Sequence, residues 1–337
     1  MTSLGMNRKI LIMKKLVLLL GIVFGLMIVP NENLKASHVS GGDFQYTCLG
    51  GDSFLVTLNI YRFCGGASMP TTVNITFNSP CGNQTATVQR DSIKEVSQLC
   101  PQEIQNSQCN NGNLPGMQHG FFSTIVVLPP CAAGPWTMSY SLCCRNSTNN
   151  LSGQPQYTID ALLDNFNGPC NNSPKFEGQP IPYVCAGSQV NYSFGAIESD
   201  GDSVVFTLDQ PLSNNITTPA PYQGGYSPTN PFNVPVTLNP NTGQLTFTPV
   251  FTAGVPFWVI KVCANEYRNN ILVGKVCRDV QFTVQNCNNQ IPYMTSNGIT
   301  NFSGNGVQID SNTVELCIGN NINFDIEFGD SLLAGQA

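Results

Sequence analysis

The chain has 337 residues, 41% of them hydrophobic, enough apolar material for about two or three cored domains of 100–200 residues each. Only 10% are charged, with a formal net charge of −6, whereas soluble domains typically carry about 25%. A sparsely charged, acidic surface excludes nucleic acid as a partner, because that role needs a dense basic face.

Arg8, Lys9, Lys14 and Lys15 flank an apolar run, Leu16 to Val29, and Leu34-Lys35-Ala36 then offers a small residue for cleavage. The run is shorter than the roughly 18 apolar residues a membrane span requires. Residues 1–36 are therefore expected to be a secretory signal peptide, leaving no transmembrane segment once removed. The remaining chain keeps nine basic and 19 acidic residues, a net charge near −10, which also disfavours anionic partners. All 14 cysteines follow the expected cut, and in an oxidising compartment they read as disulfides. Zinc is the weaker reading: paired C-x-x-C sets are missing, and the two histidines, His38 and His119, lie in unrelated contexts.

Residues 37–172 are expected to form a Cys-rich β-sandwich. Phe54 to Arg62 alternates apolar and polar side chains with β-branched and aromatic members, as a half-buried strand does. Val73–Phe77, Ala86–Val88, Phe121–Leu128, Trp136–Leu142 and Tyr157–Leu163 repeat that pattern between Gly-, Asn- and Pro-rich turns. Only Asp91 to Leu99 could pass for a short helix. Among the nine cysteines of this segment, Cys100 and Cys109 would close a short loop. Cys143 and Cys144, if on a strand, point to opposite faces and should find different partners, with a vicinal redox disulfide as the minor alternative. His119, in Gly116-Met-Gln-His-Gly120, reads as a surface-loop or strand-edge residue. Asp160 and Asp164 are formally available for glycoside hydrolysis, but surface carboxylates are the ordinary explanation. No nucleophile elbow, phosphate loop or metal-binding histidine pair occurs, so the chain is not expected to be an enzyme.

Residues 176–287 are expected to form a second sandwich. Val190–Phe194 and Ser203–Leu208 flank an acidic turn, Glu198-Ser-Asp-Gly-Asp202. Residues Pro211 to Pro235 read as a long loop whose Tyr222, Tyr226 and Phe232 are candidates for protein or glycan contact. The competing reading is that these rings pin the loop to its own sandwich, since large apolar side chains usually bury. Asn241-Thr-Gly243 makes a hairpin turn, and Phe257–Tyr267 with Ile271–Val284 makes a second hairpin about Arg268-Asn-Asn270. Across it, Cys263 and Cys277 could be cross-strand neighbours, and Cys185 with Cys287 would join the first and last strands.

The phrase Leu238-Asn-Pro-Asn-Thr-Gly-Gln-Leu-Thr-Phe-Thr-Pro249, followed by Gly254 and a Val-rich strand, resembles cadherin-like and dystroglycan-type immunoglobulin-fold repeats. The opening, Ser37-His-Val-Ser-Gly-Gly-Asp-Phe-Gln-Tyr46 with Tyr61-Arg62 and Cys64, is similar to the N-terminal region of large secreted proteins of gliding bacteria. Those proteins end in a gliding-motility-associated, type IX secretion sorting domain. The resemblance implies tandem immunoglobulin-like or cadherin-like modules and raises calcium as a cofactor. Glu198, Asp200 and Asp202 alternate across a glycine turn with oxygen ligands that suit Ca²⁺, and Glu266 and Asp279 could approach from the neighbouring hairpin. Against this, the closing Glu of an EF-hand and the linker motif of true cadherins are missing, and Asp-Gly-Asp is also simply a good turn.

Residues 288–337 read as a linker and the truncated start of a third repeat, because Cys317-Ile-Gly-Asn-Asn-Ile-Asn-Phe-Asp-Ile326 echoes Cys185-Ala-Gly-Ser-Gln-Val-Asn-Tyr-Ser-Phe194. In the repeat, Asp325, Glu327 and Asp330 keep acidic groups at different spacing. The expectation is an all-β, disulfide-stapled chain of tandem antiparallel sandwiches, exported, non-catalytic, and serving adhesion or structure through extracellular protein or glycan ligands. The alternative is an accessory region of a secreted hydrolase.

Overall fold

The computed structural model describes residues 38–180, 182–252, 254–287, 293–311, 313–316 and 321–329. The expected signal peptide, Cys317 and Asp330 fall outside them. The first segment supplies strands β1 (Val39–Gly50), β2 (Ser53–Phe63), β3 (Thr72–Ser79), β4 (Gly82–Glu95), β5 (Met117–Val127), β6 (Trp136–Leu142) and β7 (Tyr157–Leu163). Then come β8 (Lys175–Phe176), β9 (Tyr183–Cys185), β10 (Val190–Ser193), β11 (Ala196–Ile197), β12 (Ser203–Asp209), β13 (Leu212–Ser213) and β14 (Asn215–Pro219). The chain continues through β15 (Thr237–Leu238), β16 (Gln244–Phe247), β17 (Phe257–Arg268) and β18 (Ile271–Gln285). Last are β19 (Tyr293–Gly304), β20 (Val307–Gln308), β21 (Val314–Glu315) and β22 (Ile322–Gly329). The fold is all-β, and apart from the parallel β9–β18 pair its strands run antiparallel. Among the described residues, no helix is long and apolar enough to cross a membrane.

Alternating apolar side chains build the core. Phe54, Val56, Leu58 and Ile60 of β2 are fully buried, as are Ile75 and Phe77 of β3 and Ile159, Ala161 and Leu163 of β7. Period-two burial sends one face of each strand inward. The stretch Asp91–Leu99 is corrected from helix to strand as far as Glu95. A register shift between Arg90 and Ser92 lets β4 pair with β3 in its first half and with β5 in its second. Such a bulge re-aims a strand without ending it.

The segments expected as consecutive modules share one 13-stranded sheet. One edge of β18 pairs with β17 along almost its whole length. Its other edge meets β7 at Gly274–Val276, β1 at Arg278–Val280 and β9 at Thr283–Gln285. The first segment's strands thereby close into a circuit, β18-β1-β2-β5-β4-β3-β6-β7 and back to β18. β13 adds to the free edge of β7 in turn. Gly41 and Gly42 permit the close approach of β1: a Cβ on Gly41 would overlap the Asp279 carbonyl, and one on Gly42 the Asn59 carbonyl.

The second segment also packs β17 and β18 on the small sheet β10-β16-β15, around Phe194, Phe206, Leu245, Phe247, Trp258 and Phe282. In the last segment, β19 pairs with β22 and β20 with β21, and Val307, Leu316, Phe324 and Ile326 stay exposed.

Candidate functional site

The acidic turn folds onto the β17–β18 hairpin, and the nearest carboxylate oxygens of Glu198, Asp200, Asp202 and Glu266 lie within 4.8 Å of one another. Each has its own bonding. Glu198 accepts from the main-chain N–H groups of Asp200, Gly201 and Asp202 at 2.5–2.7 Å. Asp200 accepts from the Asn172 main chain at 2.8 Å and its side chain at 2.6 Å. Asp202 accepts from Arg268 Nε and a terminal guanidinium nitrogen, the latter at 2.7 Å. The same guanidinium reaches Asn171 Oδ1 at 2.8 Å and Asp200 at 3.4 Å.

Glu266 is fully buried. Asn171 donates to its Oε2 at 2.5 Å, whereas Oε1 has no partner. Gly274 makes room for it, since a Cβ there would overlap Glu266 Oε2. Burial, opposed by the Asn171 bond and reinforced by Glu198, Asp202 and Asp200, pushes its pKa up to about 8. Burial alone would raise Asp200, but the Asn172 donors, with Ser199 and Arg268, outweigh it and hold Asp200 below its usual value. The Asp202 hydrogen bonds raise Arg268 further, against partial burial.

Calcium takes six to eight oxygens. Here most of the carboxylate oxygens are already bonded, and a guanidinium sits among them. The arrangement does not fit the calcium cage that the Glu198, Asp200 and Asp202 reading implied. Arg268 is the cation of this cluster, and Asn171 and Asn172 are its neutral clamps. Asp279 does not approach at all: Arg145 binds both its oxygens, at 2.8 and 2.6 Å.

The aromatic loop is also corrected. Phe232 is 3% exposed and stacks on Phe247 at 4.2 Å between ring centroids. Tyr226 packs against the same core, and Tyr222 packs beside Leu151, Ala220 and Val259 with its hydroxyl buried. Phe232 is buried and the two tyrosines are half-buried, and all three anchor the loop to its own core.

His119 lies on β5, between β2 and β4, not in a surface loop. It is buried between the rings of Tyr61 and Phe121, 4.1 and 3.7 Å away by centroid. Its Nε2 is 3.0 Å from Asn59 Oδ1, Asn59 donates to Asp43 at 2.8 Å, and Arg278 donates to Asp43 at 2.8 Å. Burial lowers its pKa to about 4, with Asp43 opposing and Arg278 and Lys94 assisting. Asp160 accepts from Lys261 at 2.6 Å, and Asp164 accepts from the main-chain N–H groups of Phe166 and Asn167.

Among the described residues six disulfides are formed. Cys185 bonds to Cys287, and Cys263 to its cross-strand neighbour Cys277. A crosslink spanning 102 residues is worth about 4–5 kcal/mol on the chain-entropy model. The Cys100–Cys109 pairing is overturned: Cys109 bonds to Cys64, and Cys100 is free and exposed. Short 3₁₀ turns at Pro101–Asn106 and Gln108–Asn110 fold the connection back, so that Cys109 meets the end of β2. Cys48–Cys170 and Cys81–Cys131 complete the first segment's longer links. Cys143 and Cys144 bond to each other. They follow the end of β6, so strand alternation does not separate them.

Sequence reasoning did not find a double cavity beside the Cys64–Cys109 and Cys185–Cys287 bridges. Its larger part, about 430 Å³, is lined by Phe63, Gln108, Asn146, Tyr183, Phe257 and Gln285 among others. Its smaller part, about 280 Å³, adds Gln98 and shares Pro115, Tyr183 and Gln285. The contributing strand ends are distant in sequence, and no local motif marks them.

No protein-family model matches the chain, and no curated protein matches it significantly. Among solved structures, a pair of tandem immunoglobulin domains of titin is similar at 12% identity and a TM-score of 0.21, over 74% of this chain and 100% of that one. At that TM-score the likeness carries no functional argument.

Proposed function

We propose that the chain is an exported β-sandwich scaffold, secreted or held at the cell surface, that serves adhesion or structure without a catalytic centre of its own. One observation carries this reading: its buried charges are spent on holding segments together. Arg278 pairs with Asp43, Arg145 with Asp279 and Lys261 with Asp160, each joining the first segment to the second. Six disulfides among the described residues staple the segments internally, four within the first and two within the second, a density that belongs to oxidising compartments. The leader-like N-terminus and the similarity of the opening to secreted proteins of gliding bacteria support export.

The test is fractionation of the producing cells, with protease shaving of intact cells and thiol labelling of the recovered protein. Surface or medium localisation with at most the Cys100 and Cys317 thiols labelled is the expected result. A reduced, protease-protected cytoplasmic protein would overturn it. The double cavity gives the alternative, a glycan-binding region accessory to a secreted hydrolase, its own support.

A further inference from the structure

The double cavity combines three properties. Its rings are partly open: Phe63 and Phe257 lie 5.4 Å apart by centroid, and Tyr183 stands between the two parts. Four of its polar groups are uncommitted: the side-chain amides of Gln98, Gln108 and Gln285 and the Tyr183 hydroxyl make no hydrogen bond within the described residues. And no Asp, Glu, Lys or Arg lines either part, His38 in the larger part being the one basic side chain there.

Each property removes a class of ligand. A carboxylate, phosphate or ammonium group would lose its hydration with no Lys, Arg, Asp or Glu to replace it. A wholly apolar ligand would strip water from at least three amides and leave them unpaired. What remains is a neutral molecule with C–H faces to lie against rings and hydroxyl groups around its rim to meet amides. A pyranose ring is built that way.

The walls are also fixed before binding. Gly65 and Gln108 adjoin the bonded pair Cys64–Cys109, and Tyr183 and Gln285 each lie two residues from the pair Cys185–Cys287. Crosslinked walls reduce the ordering cost on binding, and the larger part lies within the roughly 300–1,000 Å³ of ligand pockets. We propose that this double cavity is a binding site for a neutral oligosaccharide, held on Tyr183, Phe63 and Phe257 and hydrogen-bonded by Gln98, Gln108 and Gln285. The proposal rests on the reading of the chain as a non-catalytic binding scaffold and names its ligand class.

The experiment is affinity electrophoresis of the full chain through gels containing xylan, mannan, mixed-linkage β-glucan or starch, each compared with a gel without polysaccharide. Isothermal titration with oligosaccharides of any retarding polymer then gives Kd. The expected result is retardation by at least one polymer, weakened at least tenfold in Kd by Tyr183→Ala and by Gln285→Ala. Gln285 is exposed, so its variant tests the site even if Tyr183→Ala fails to fold, which a melting curve reports. No retardation by any of the four, retardation untouched by Gln285→Ala, or loss of retardation on adding an unrelated peptide mixture overturns the site. Release of reducing sugar from the retarding polymer would instead overturn the non-catalytic reading while leaving the site in place. Surface localisation without retardation would do the reverse.

Discussion

Glu266→Gln isolates the energetics of the acidic cluster. Glu266 is fully buried beside Glu198, Asp200 and Asp202, with one oxygen bound to Asn171 and the other without a hydrogen-bond partner. Its pKa rises from 4.5 to about 8. Between those values the folded chain keeps a proton that the unfolded chain has released. The folded state binds more protons there, so stability falls as pH rises, by up to about 1.4 kcal/mol per pH unit. Across the window this amounts to about 3–5 kcal/mol. Glutamine carries no charge, and its amide can donate to the neighbouring carboxylates while its oxygen still accepts from Asn171. Urea denaturation at pH 5, 6.5 and 8 should therefore show the variant close to the parent at pH 5 and more stable by several kcal/mol at pH 8. If the two curves shift in parallel between pH 5 and 8, the carboxyl is ionised throughout and the account of the cluster fails.

Arg268→Gln removes the resident cation and its charge-assisted bonds, and should cost about 1–3 kcal/mol. EDTA and millimolar calcium should leave the parent's melting temperature unchanged while calcium partly restores the variant, and a fall in the parent's with EDTA would show that the cluster holds metal beside the guanidinium. Phe232→Ala should cost about 3–5 kcal/mol in urea denaturation, whereas a surface contact ring would cost almost nothing. Cys100→Ser should leave stability within about 0.5 kcal/mol, and a non-reducing peptide map should still show Cys64 linked to Cys109. A map linking Cys100 instead would reverse that assignment.

The strands were legible because their chemistry is local. Phe54, Val56, Leu58 and Ile60 announce β2 by alternation alone, and Arg268-Asn-Asn270 announces the turn between β17 and β18. Pairings set by the path of the chain were not legible in the same way. Cys100 lies close to Cys109 in sequence, yet the 3₁₀ turns carry Cys109 to Cys64, 45 residues away. Arg268 reads as a turn residue because its partner Asp202 is 66 positions upstream. His119, between two glycine-flanked turns of phrase, reads as loop, but flat neighbours on both sides and an amide at its edge make a buried strand position that suits a neutral imidazole. In each case the residue type was informative and the partner was not.

The expected boundary between two modules turns on polarity. On β17 and β18, Lys261, Arg278, Asp279 and Gln281 interrupt the apolar pattern, and in an isolated sandwich such residues would face water. All four are buried. Lys261 meets Asp160, Arg278 meets Asp43, Asp279 meets Arg145 and Gln281 meets Asn146. A strand that pairs with water and a strand that pairs with another segment's charges are written with the same residues, so the pattern could not tell a module boundary from a seam. The distinguishing mark was the glycine pair, Gly41-Gly42, whose bare backbone is needed only where β1 closes against Asp279 and Asn59. Two adjacent glycines inside a strand weaken it unless something approaches closely. Here that something is β18 together with β2, and the seam between the two segments is as buried as either core.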